Sequence, residues 1–379
     1  MKFIIAAGGT GGHITPGLAI GTMLKNEGHT VIFVGTEHGM EKDLVPKAGF
    51  DIKYIHASGL VSGIKGKIEA LKNLKIGTKE CEKLIDAEKP DMCIGTGGYV
   101  TAPLMIAANK KGIHAMIHES NALPGKTTKL MAGKIDEVAV GFEETKQKLK
   151  KGNIVVTGNP NKMCLNTLTR EEAKAKLGIN SKLLLIFGGS QGAKKINETI
   201  MEIIKNKQFG DYAVIYATGP KNYEDVFKRA ALEDRDRYSY VVDNDDSLEL
   251  YDDKEKKIII KKFIYNMEEV MKAADLVVCR SGALTCTEIA EVGVASILIP
   301  FPFAAENHQL YNAQTLQNVN AGVIIEEKGL TESLLIKAID EIISDDNILH
   351  TMSENSKKLR KGNPIENIKE EIYRILKTS

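Results

Sequence analysis

Two glycine-rich segments of this sequence follow apolar runs, and both could bind an anion through the backbone. GGTGG at residues 8–12 comes after the run at 3–7, and GGSQG at 188–192 comes after the run at 183–187. A glycine loop between a buried strand and a helix lets several N–H groups converge on one phosphate. The spacing therefore predicts phosphate binding in both halves of the chain.

The residues alone leave three interpretations of these loops open. A dinucleotide fingerprint needs G-x-G-x-x-G, but Ile14 stands where the third glycine belongs, although Glu37 lies at a plausible ribose-binding distance. A P-loop needs G-x-x-x-x-G-K-[ST], and residues 125–127 match only its tail, because Ser120 replaces the first glycine. The third interpretation is a pair of nucleotide-sized halves with diphosphate-binding loops and a cleft between them.

The elements that must position these loops are strands and helices in alternation. Residues 3–7, the first loop, a helical pattern with Pro16 near its start and the apolar run at 31–34 make a strand–helix–strand unit. Such units build parallel sheets covered by helices, so we predict an α/β fold.

A repeat along the chain predicts two similar halves. The first glycine loop recurs as the loop at 188–192, and GTGG at 95–98 pairs with RSGA at 280–283, each after a short apolar strand. The turn-forming cluster TGNP at 157–160 is the expected junction. We therefore predict domains at 1–160 and 161–362, followed by an amphipathic helix within 363–379.

Composition and charge exclude several classes of protein. The chain has 379 residues, and 51 Lys and Arg against 50 Asp and Glu give a net charge of +1, which does not suit a general polyanion binder. Its five cysteines form no C-x-x-C pair, so we expect no disulfide framework or zinc site and a reducing cytosol. No run approaches the roughly 20 apolar residues of a membrane span. The charge-dense segment 243–257 is predicted to be a surface loop.

Seven short motifs, taken in order, resemble one enzyme family along nearly the whole chain. They are GGTGGH at 8–13 with Pro16, GTGGY at 95–99 with Pro103, HESN at 118–121 with Pro124, GNP at 158–160, GGSQGA at 188–193, RSGALT at 280–285 with Glu288, and NHQ at 307–309 with Asn312. In this order they are similar to the bacterial UDP-N-acetylglucosamine–undecaprenyl-pyrophosphoryl-muramoylpentapeptide N-acetylglucosaminyltransferases of glycosyltransferase family 28. That family makes lipid II from lipid I in peptidoglycan synthesis.

The resemblance implies two Rossmann-like domains facing a cleft, the glycosyltransferase B fold, with the C-terminal helix returning to the first domain. Residues 1–160 would bind the undecaprenyl-linked acceptor lipid I and face the membrane, and residues 161–362 would bind UDP-GlcNAc. GlcNAc would pass with inversion to the 4-hydroxyl of MurNAc, without a cofactor or a catalytic metal. The enzyme would act at the cytoplasmic face of the cell membrane, with an anionic membrane surface and other cell-wall synthesis proteins as partners and no nucleic acid.

The resemblance also assigns roles to residues in the motifs. His13 is the expected general base, because a neutral imidazole can take the proton of an attacking hydroxyl near pH 7. Its alternative role is to bind acceptor phosphate or sugar, and Glu119 is then the substitute base. Gly97, Gly98 and Tyr99 are expected to bind the acceptor. The expected contacts with UDP-GlcNAc come from Thr10, Gly11, Gly12, Asn121, Lys162, Ser190, Ile264, Ala283, Leu284, Thr285, Glu288 and Gln309.

Three of these donor contacts have a specific chemical reason. Glu288 would accept both ribose hydroxyl groups, because one carboxylate can accept two O–H bonds. Ile264 would offer backbone groups to uracil, and Gln309 would hydrogen-bond the GlcNAc hydroxyl groups.

Some positions depart from the family pattern. Lys162 and Lys194 stand where Arg is expected, so the charge is kept but the bidentate fork is lost. Ser120 replaces Gln, and residues 218–219 retain only part of a Gln-x-Gly turn. These departures bear on rates and affinities more than on the reaction class.

The residues favour three other functions less than this one. A transferase of the same superfamily that acts on diacylglycerol is disfavoured by the motifs at 95–99 and 118–125. A nucleotide-sugar binding protein without turnover is disfavoured by His13 and Glu119. A dehydrogenase is disfavoured because Ile14 replaces the third glycine of the dinucleotide fingerprint.

The segment 64–84 predicts a helix at a membrane surface. Ile64, Ile68, Leu71 and Leu74 recur at helical spacing among Lys65, Lys67, Lys72 and Lys75. An apolar stripe flanked by lysines is typical of a helix that lies on anionic lipid. The alternative is a surface helix that packs this stripe on its own sheet.

Overall fold

A computed structural model describes residues 1–59, 64–161, 163, 168–189, 192–206, 208–230, 239–244, 246–251 and 257–377. The chain forms two compact units. Unit 1 consists of Met1–Asn161 with Lys361–Ser379, and unit 2 consists of Lys162–Arg360. Each unit is a sheet of mostly parallel strands with its own buried core. The predicted α/β fold with two similar halves is confirmed.

The described part of unit 1 holds one parallel sheet. Its strands are β1 (Lys2–Ala6), β2 (Thr30–Gly35), β3 (Asp51–Tyr54), β4 (Met92–Gly95), β5 (His114–Glu119), β6 (Glu137–Val140) and β7 (Ile154–Val156). They pair in the order β3-β2-β1-β4-β5-β6-β7. β1 and β4 are almost wholly apolar and buried, as expected for strands that helices cover on both faces.

Helices connect most of these strands. They are α1 (Gly11–Asn26), α2 (Glu41–Lys47), α3 (Ile64–Glu88), α4 (Thr101–Lys111), α5 (Lys126–Met131) and α6 (Glu143–Lys148). Pro16 lies in the second turn of α1 and not in the first, because the helix begins directly at Gly11.

Unit 2 repeats this plan with one addition. Its strands are β8 (Leu183–Phe187), β9 (Ala213–Ala217), β10 (Ser239–Asn244), β11 (Ser247–Tyr251), β12 (Lys257–Lys261), β13 (Leu276–Cys279), β14 (Ala295–Leu298) and β15 (Gly322–Ile324). The order is β10-β11-β12-β9-β8-β13-β14-β15, and β11 pairs antiparallel with both of its neighbours. The predicted loop at 243–257 is therefore wrong for β11, where Leu248 and Leu250 alternate into the core. Residues 245 and 252–256 of that prediction lie outside the described residues.

The helices of unit 2 are α7 (Arg170–Lys176), α8 (Lys194–Lys205), α9 (Tyr223–Lys228), α10 (Met267–Ala273), α11 (Ala283–Val292), α12 (His308–Asn318), α13 (Glu332–Ile343) and α14 (Asp346–Lys357). The chain then returns to unit 1 as α15 (Pro364–Lys377). Ile368, Ile372 and Ile375 of α15 are buried in the core beside β1.

In each sheet the strand order reverses beside the first strand. β1 lies between β2 and β4, and β8 lies between β9 and β13. In open α/β sheets, ligands bind at such switch points, outside the carboxyl ends of the strands. The glycine loops after β1, β4, β8 and β13 all lie at those ends.

Candidate functional site

His13 lies in the first turn of α1, directly after the first glycine loop. Thr10 precedes the helix in extended conformation, and its Oγ1 lies 3.4 Å from His13 Nδ1. The N–H groups of Gly11 and Gly12, at the start of the helix, have no intrahelical acceptor, so they are available to an anion. The His13 ring is half-buried. The Thr96 hydroxyl donates a hydrogen bond to the backbone carbonyl oxygen of His13 at 2.8 Å.

Gly97 and Gly98 form the surface against which the His13 ring packs. Gly97 has a φ of +102°, and a Cβ there would lie 2.6 Å from His13 Cδ2. Gly98 has a φ of +77°, and its Cβ would lie 2.1 Å from the carbonyl oxygen of Gly8. Both positions therefore require glycine for close approach, and this arrangement brings the loops after β1 and β4 together around His13.

A buried carboxylate that the sequence analysis missed holds the first glycine loop. Glu41 is fully buried and accepts hydrogen bonds from Gly9 N at 3.1 Å, Thr36 N at 3.0 Å and Thr36 Oγ1 at 2.9 Å. The hydroxyl of Tyr99 lies 3.4 Å from Thr36 Oγ1, and its ring faces Gly9. In the sequence, a Glu shortly after a strand is only a weak indication of a buried carboxylate that holds a loop, because most Glu side chains are exposed.

Glu119 ends β5 and organises the loop that follows it. Its Oε1 accepts from the backbone N–H and the side-chain amide of Asn121, at 3.0 and 3.2 Å. Its Oε2 accepts from Gly125 N at 2.9 Å and from Thr128 Oγ1 at 2.7 Å. Four hydrogen bonds satisfy this buried carboxylate and orient Asn121.

His118 and Ser120 fasten the same loop to residues 158–159. His118 is fully buried, its Nε2 lies 3.1 Å from the carbonyl oxygen of Gly158, and burial lowers its pKa. Asn159 donates to the carbonyl oxygen of Ser120 at 3.0 Å. Ser120 therefore keeps the loop closed through its backbone, which the departure from Gln leaves intact.

The second glycine loop leads from β8 into α8. Gly189 and Gly192 have φ values of +87° and +75°, and a Cβ at Gly192 would lie 2.1 Å from the carbonyl oxygen of Thr218. Ser190 and Lys162, both predicted to bind UDP-GlcNAc, lie outside the described residues. Lys194 is exposed at the start of α8 and pairs with Glu198 at 3.8 Å.

The start of α11 carries three of the predicted donor contacts. The N–H groups of Ala283, Leu284 and Thr285 have no intrahelical acceptor, because they are the first of the helix. One turn later, Glu288 is half-buried and makes no hydrogen bond within the described part of the chain. Burial, and then the charge of Glu268, raise the pKa of Glu288 to about 7.

Ile264 lies in the loop after β12, and Gln309 lies in the first turn of α12, which follows β14. Both connections follow the carboxyl ends of strands in the same sheet. The Ile264 side chain is buried, and neither its N–H nor its C=O makes a hydrogen bond to another described residue. Gln309 Oε1 accepts from Phe301 N at 2.9 Å, which leaves its NH₂ group available. His308 Nδ1 lies 2.7 Å from the carbonyl oxygen of Ala305, at the start of α12.

Arg280 holds the loop between β14 and α12, the helix whose first turn carries Gln309, and its charge is already paired. Its guanidinium donates to the carbonyl oxygens of Ile299 and Pro300, each at 3.1 Å, and pairs with Glu327. It also stacks on Phe301, 5.4 Å from the ring centre. The next residue, Ser281, donates to the carbonyl oxygen of Gln309 at 2.8 Å.

The described residues contain no group of three His, Cys, Asp or Glu side chains that could hold a metal ion. Within the same residues, no helix is both long and apolar enough to cross a membrane.

Comparisons with known proteins agree over the whole chain. Residues 3–140 match the glycosyltransferase family 28 N-terminal domain, and residues 183–372 match the glycosyltransferase family 28 C-terminal domain. A protein of Acetivibrio thermocellus, named UDP-N-acetylglucosamine--N-acetylmuramyl-(pentapeptide) pyrophosphoryl-undecaprenol N-acetylglucosamine transferase, is 40% identical over 100% of this chain and 98% of its own length. A Bacillus licheniformis protein of the same name is 37% identical over 100% of this chain and 98% of its own length.

Solved structures show the same fold. The crystal structure of Acinetobacter baumannii MurG matches with a TM-score of 0.78 and 27% identity, covering 98% of this chain and 99% of that chain. The calicheamicin glycosyltransferase CalG4 matches with a TM-score of 0.69 and 12% identity, covering 99% and 98%. The predicted glycosyltransferase B fold is confirmed. Since both family domains match and the relatives align over their full lengths, the chain belongs to glycosyltransferase family 28.

Proposed function

We propose that this enzyme transfers GlcNAc from UDP-GlcNAc to the 4-hydroxyl of MurNAc in undecaprenyl-pyrophosphoryl-MurNAc-pentapeptide, with His13 as the proton acceptor. The observation that carries the proposal is the place of His13 at the switch point of the unit 1 sheet. Two glycines make room for its ring there, and free N–H groups of the same helix turn lie beside it. A base beside an anion-binding turn suits a hydroxyl group that attacks a sugar bound to a diphosphate, which agrees with the predicted contacts of Thr10, Gly11 and Gly12 with UDP-GlcNAc.

The donor site that we propose lies at the carboxyl edge of the unit 2 sheet. Glu288 is a half-buried carboxylate with no donor of its own, which suits the two ribose hydroxyl groups. The unpaired backbone groups of Ile264 suit uracil, and the N–H groups of Ala283, Leu284 and Thr285 suit the diphosphate. The free NH₂ group of Gln309 is left for the sugar.

The reaction that these groups support is a single displacement. The acceptor oxygen forms a bond to the anomeric carbon as the bond to the UDP oxygen breaks, and the hydroxyl proton passes to His13. Negative charge then grows on the leaving diphosphate, where the N-terminus of α11 stabilises it. Attack opposite the leaving group inverts the anomeric centre.

Glu119 takes a positioning role in this proposal. A carboxylate that already accepts four hydrogen bonds from its own loop has no lone pair ready for a substrate proton. Its effect on transfer is to orient Asn121, whose amide it holds.

Turnover with defined substrates tests the function. Purified enzyme is given labelled UDP-GlcNAc with a short-chain lipid I analogue or with diacylglycerol, and both released UDP and the glycosylated lipid are measured. We expect one UDP per β-linked product with the lipid I analogue only. Transfer to diacylglycerol alone, or UDP-GlcNAc binding without any transfer, would contradict the proposal.

We further propose that α3 contacts the cytoplasmic membrane surface, which brings the enzyme to its lipid-linked acceptor. Ile68 and Leu71 are 61% and 64% exposed, although both are large and apolar. Lys72, Lys75 and Lys79 are exposed on the same side of the helix.

The buried side of α3 is a different set of residues. Ala70, Thr78, Cys81 and Ile85 are buried, and α3 packs on α4. The alternative was that the apolar stripe packs on its own sheet. The exposure of Ile68 and Leu71 does not support it, and Leu74 is half-buried. The side chains of Ile64, Lys65 and Lys67 lie outside the described residues.

Vesicle co-sedimentation tests the membrane contact. Each lysine near anionic lipid contributes about 1 kcal/mol, so replacing Lys72, Lys75 and Lys79 by Gln should weaken partitioning roughly a hundredfold at low salt. The difference should shrink as salt rises. A double variant of unit 2, Lys194→Gln with Lys337→Gln, is the matched control and should partition like the wild type. Equal, salt-insensitive partitioning of all three proteins would contradict the contact.

A further inference from the structure

A cavity of about 650 Å³ lies at the amino-terminal edge of the unit 2 sheet. Lys182 and Asp275, which line it, directly precede β8 and β13, and α7 and α14 contribute other walls. The donor loops follow the carboxyl ends of the same strands. The cavity is therefore separate from the proposed donor site, and its volume is typical of a pocket for a small molecule.

Most carboxylates of this cavity are already paired. Asp275 accepts from Leu183 N at 2.7 Å and pairs with Lys174 at 2.6 Å. Asp346 pairs with Lys182 at 2.6 Å, and Glu354 pairs with Lys357 at 2.5 Å. The remaining carboxylate of the lining, Glu171, is exposed.

Three cations of the lining make no hydrogen bond to a carboxylate of the described residues. Lys272 makes no hydrogen bond or salt bridge to any described residue. Arg360 donates only through Nε, to the carbonyl oxygen of Ala290 at 3.4 Å. Arg170 donates to the carbonyl oxygen of Gly293 and lies 3.8 Å from Asp275, and its buried Nε has no partner.

These cations come from separate elements and act on one another. Burial, and then the charges of Arg360, Arg170 and Lys357, lower the pKa of Lys272, against the opposing charge of Glu291. Like charges gathered around a partly buried ammonium group cost free energy, and a bound anion removes that cost. A guanidinium can also bind phosphate through two parallel hydrogen bonds.

We propose that this cavity binds a small phosphoryl anion through Arg170, Lys272 and Arg360. The ligand is a free phosphorylated molecule and not a lipid headgroup, because the site is a concave pocket lined by residues of four helices, α7, α10, α11 and α14. Binding ties together α7, the end of α10 and the segment after α14, so it stabilises unit 2.

Inorganic pyrophosphate is the probe, and the full-length enzyme is used throughout. Saturating UDP fills the donor site first, and ionic strength is held constant, so that pyrophosphate reports on the second site. We expect a saturable rise in Tm and a titratable heat of binding. Lys272→Met should raise the Kd for pyrophosphate at least about tenfold, the scale of one charge-assisted contact. The control Lys337→Met, at an exposed lysine of the same unit, should bind as the wild type does.

The stability of the variants separates lost binding from misfolding. Without pyrophosphate, Lys272→Met should melt no lower than the wild type, because it removes a partly buried charge that has no salt-bridge partner. An absent or non-saturable response of the wild type would overturn the proposal, as would equal affinities of wild type and Lys272→Met. Vesicles of phosphatidylglycerol form the last arm, and we expect wild type and Lys272→Met to co-sediment equally. If Lys272→Met lost vesicle binding but kept its affinity for pyrophosphate, the three cations would be assigned to lipid binding, and the proposal would be overturned.

Discussion

His13 shows how much of a site depends on one contact between loops. The His13 ring lies against Gly97 and Gly98, whose conformations and lack of a Cβ allow that approach. Acceptor binding by these two glycines stays a prediction. The packing gives them a second reason to be glycine.

Replacing His13 by Ala should lower turnover by roughly 10² to 10⁴, the usual effect of losing a positioned proton acceptor. UDP affinity should change little, because the contacts that we propose for uracil, ribose and diphosphate come from unit 2. Steady-state kinetics and calorimetric titration with UDP measure the two effects. Thr15→Ala, at an exposed position of the same helix, is the control. A loss below about tenfold with an intact fold would remove His13 from the role of base.

Glu288 should make UDP binding depend on pH. Its pKa is raised to about 7 by burial and then by Glu268, and only the ionised form accepts two ribose hydroxyl groups. Affinity for UDP should therefore fall as pH drops below about 7, since binding must then remove a proton. At higher pH, Glu288→Ala should weaken the free energy of UDP binding by about 1.5–3 kcal/mol, the scale of hydrogen bonds to a charged group.

Titrations with UDP across this pH range measure both effects. Glu268→Gln should move the midpoint to lower pH, because it removes a like charge, and Glu291→Gln should leave the profile unchanged. A wild-type affinity that does not vary with pH would contradict the role of Glu288.

At the scale of elements, polar side chains that touch no substrate in our proposal hold the loops. Glu41 fixes the loop after β1, Glu119 fixes the loop after β5, and Arg280 fixes the loop between β14 and α12. Glu41 and Arg280 reach partners 32 and 47 positions away, which a local sequence window does not reveal. The partners of Glu119 lie within nine positions.

Arg280→Met should raise the KM for UDP-GlcNAc at least about tenfold while UDP affinity changes less than about threefold. The reason is that Arg280 supports the loop that leads into α12 and positions Gln309, which we assign to the sugar and not to the nucleotide. Arg280→Lys should restore little, because Lys lacks the planar fork that reaches two carbonyl oxygens and a carboxylate. The effect of Glu327→Gln should be less than additive with Arg280→Met. Equal weakening of UDP and UDP-GlcNAc would instead place Arg280 on the diphosphate.

At the scale of the whole molecule, the chain leaves unit 1, builds unit 2 and returns as α15. Arg374 of α15 pairs with the buried Glu137 of β6, and His29 Nε2 lies 2.8 Å from the Tyr373 hydroxyl. Burial, and then the charge of Glu371, raise the pKa of Glu137 to about 7. These contacts couple the last helix to the first sheet.

Glu137 should make the stability of the protein depend on pH. A folded-state pKa above the ordinary 4.5 favours the protonated form. The neutral Glu137 side chain therefore makes its full contribution to the free energy of unfolding below about pH 4.5. That contribution is lost as pH rises through about 7. The side chain of Glu137→Gln stays neutral at every pH. The Tm of this variant, relative to the Tm of the wild type, should therefore rise between about pH 5 and pH 8. Glu27→Gln, which removes an exposed pair with Lys369, is the control and should show no such trend. Parallel Tm profiles of wild type and Glu137→Gln would contradict this assignment.

Local patterns were enough to predict the fold class and the order of the site loops. Apolar runs followed by glycines indicate buried strands and tight turns, and the motifs from 8–13 to 307–309 led to the family that the comparisons confirmed. The hairpin of β10 and β11 was missed, because its charged residues outweighed the alternation of Leu248 and Leu250.

Partners far apart along the chain could not be predicted. The approach of His13 to Gly97, the burial of Glu41 under the first loop and the pairing of Glu137 with Arg374 join residues 84, 32 and 237 positions apart. Which strands lie side by side determines such contacts, and strand order is a property of the whole sheet. Burial in turn sets the pKa of Glu288 and Glu137, because desolvation depends on every element packed around a side chain and not on its neighbours in sequence.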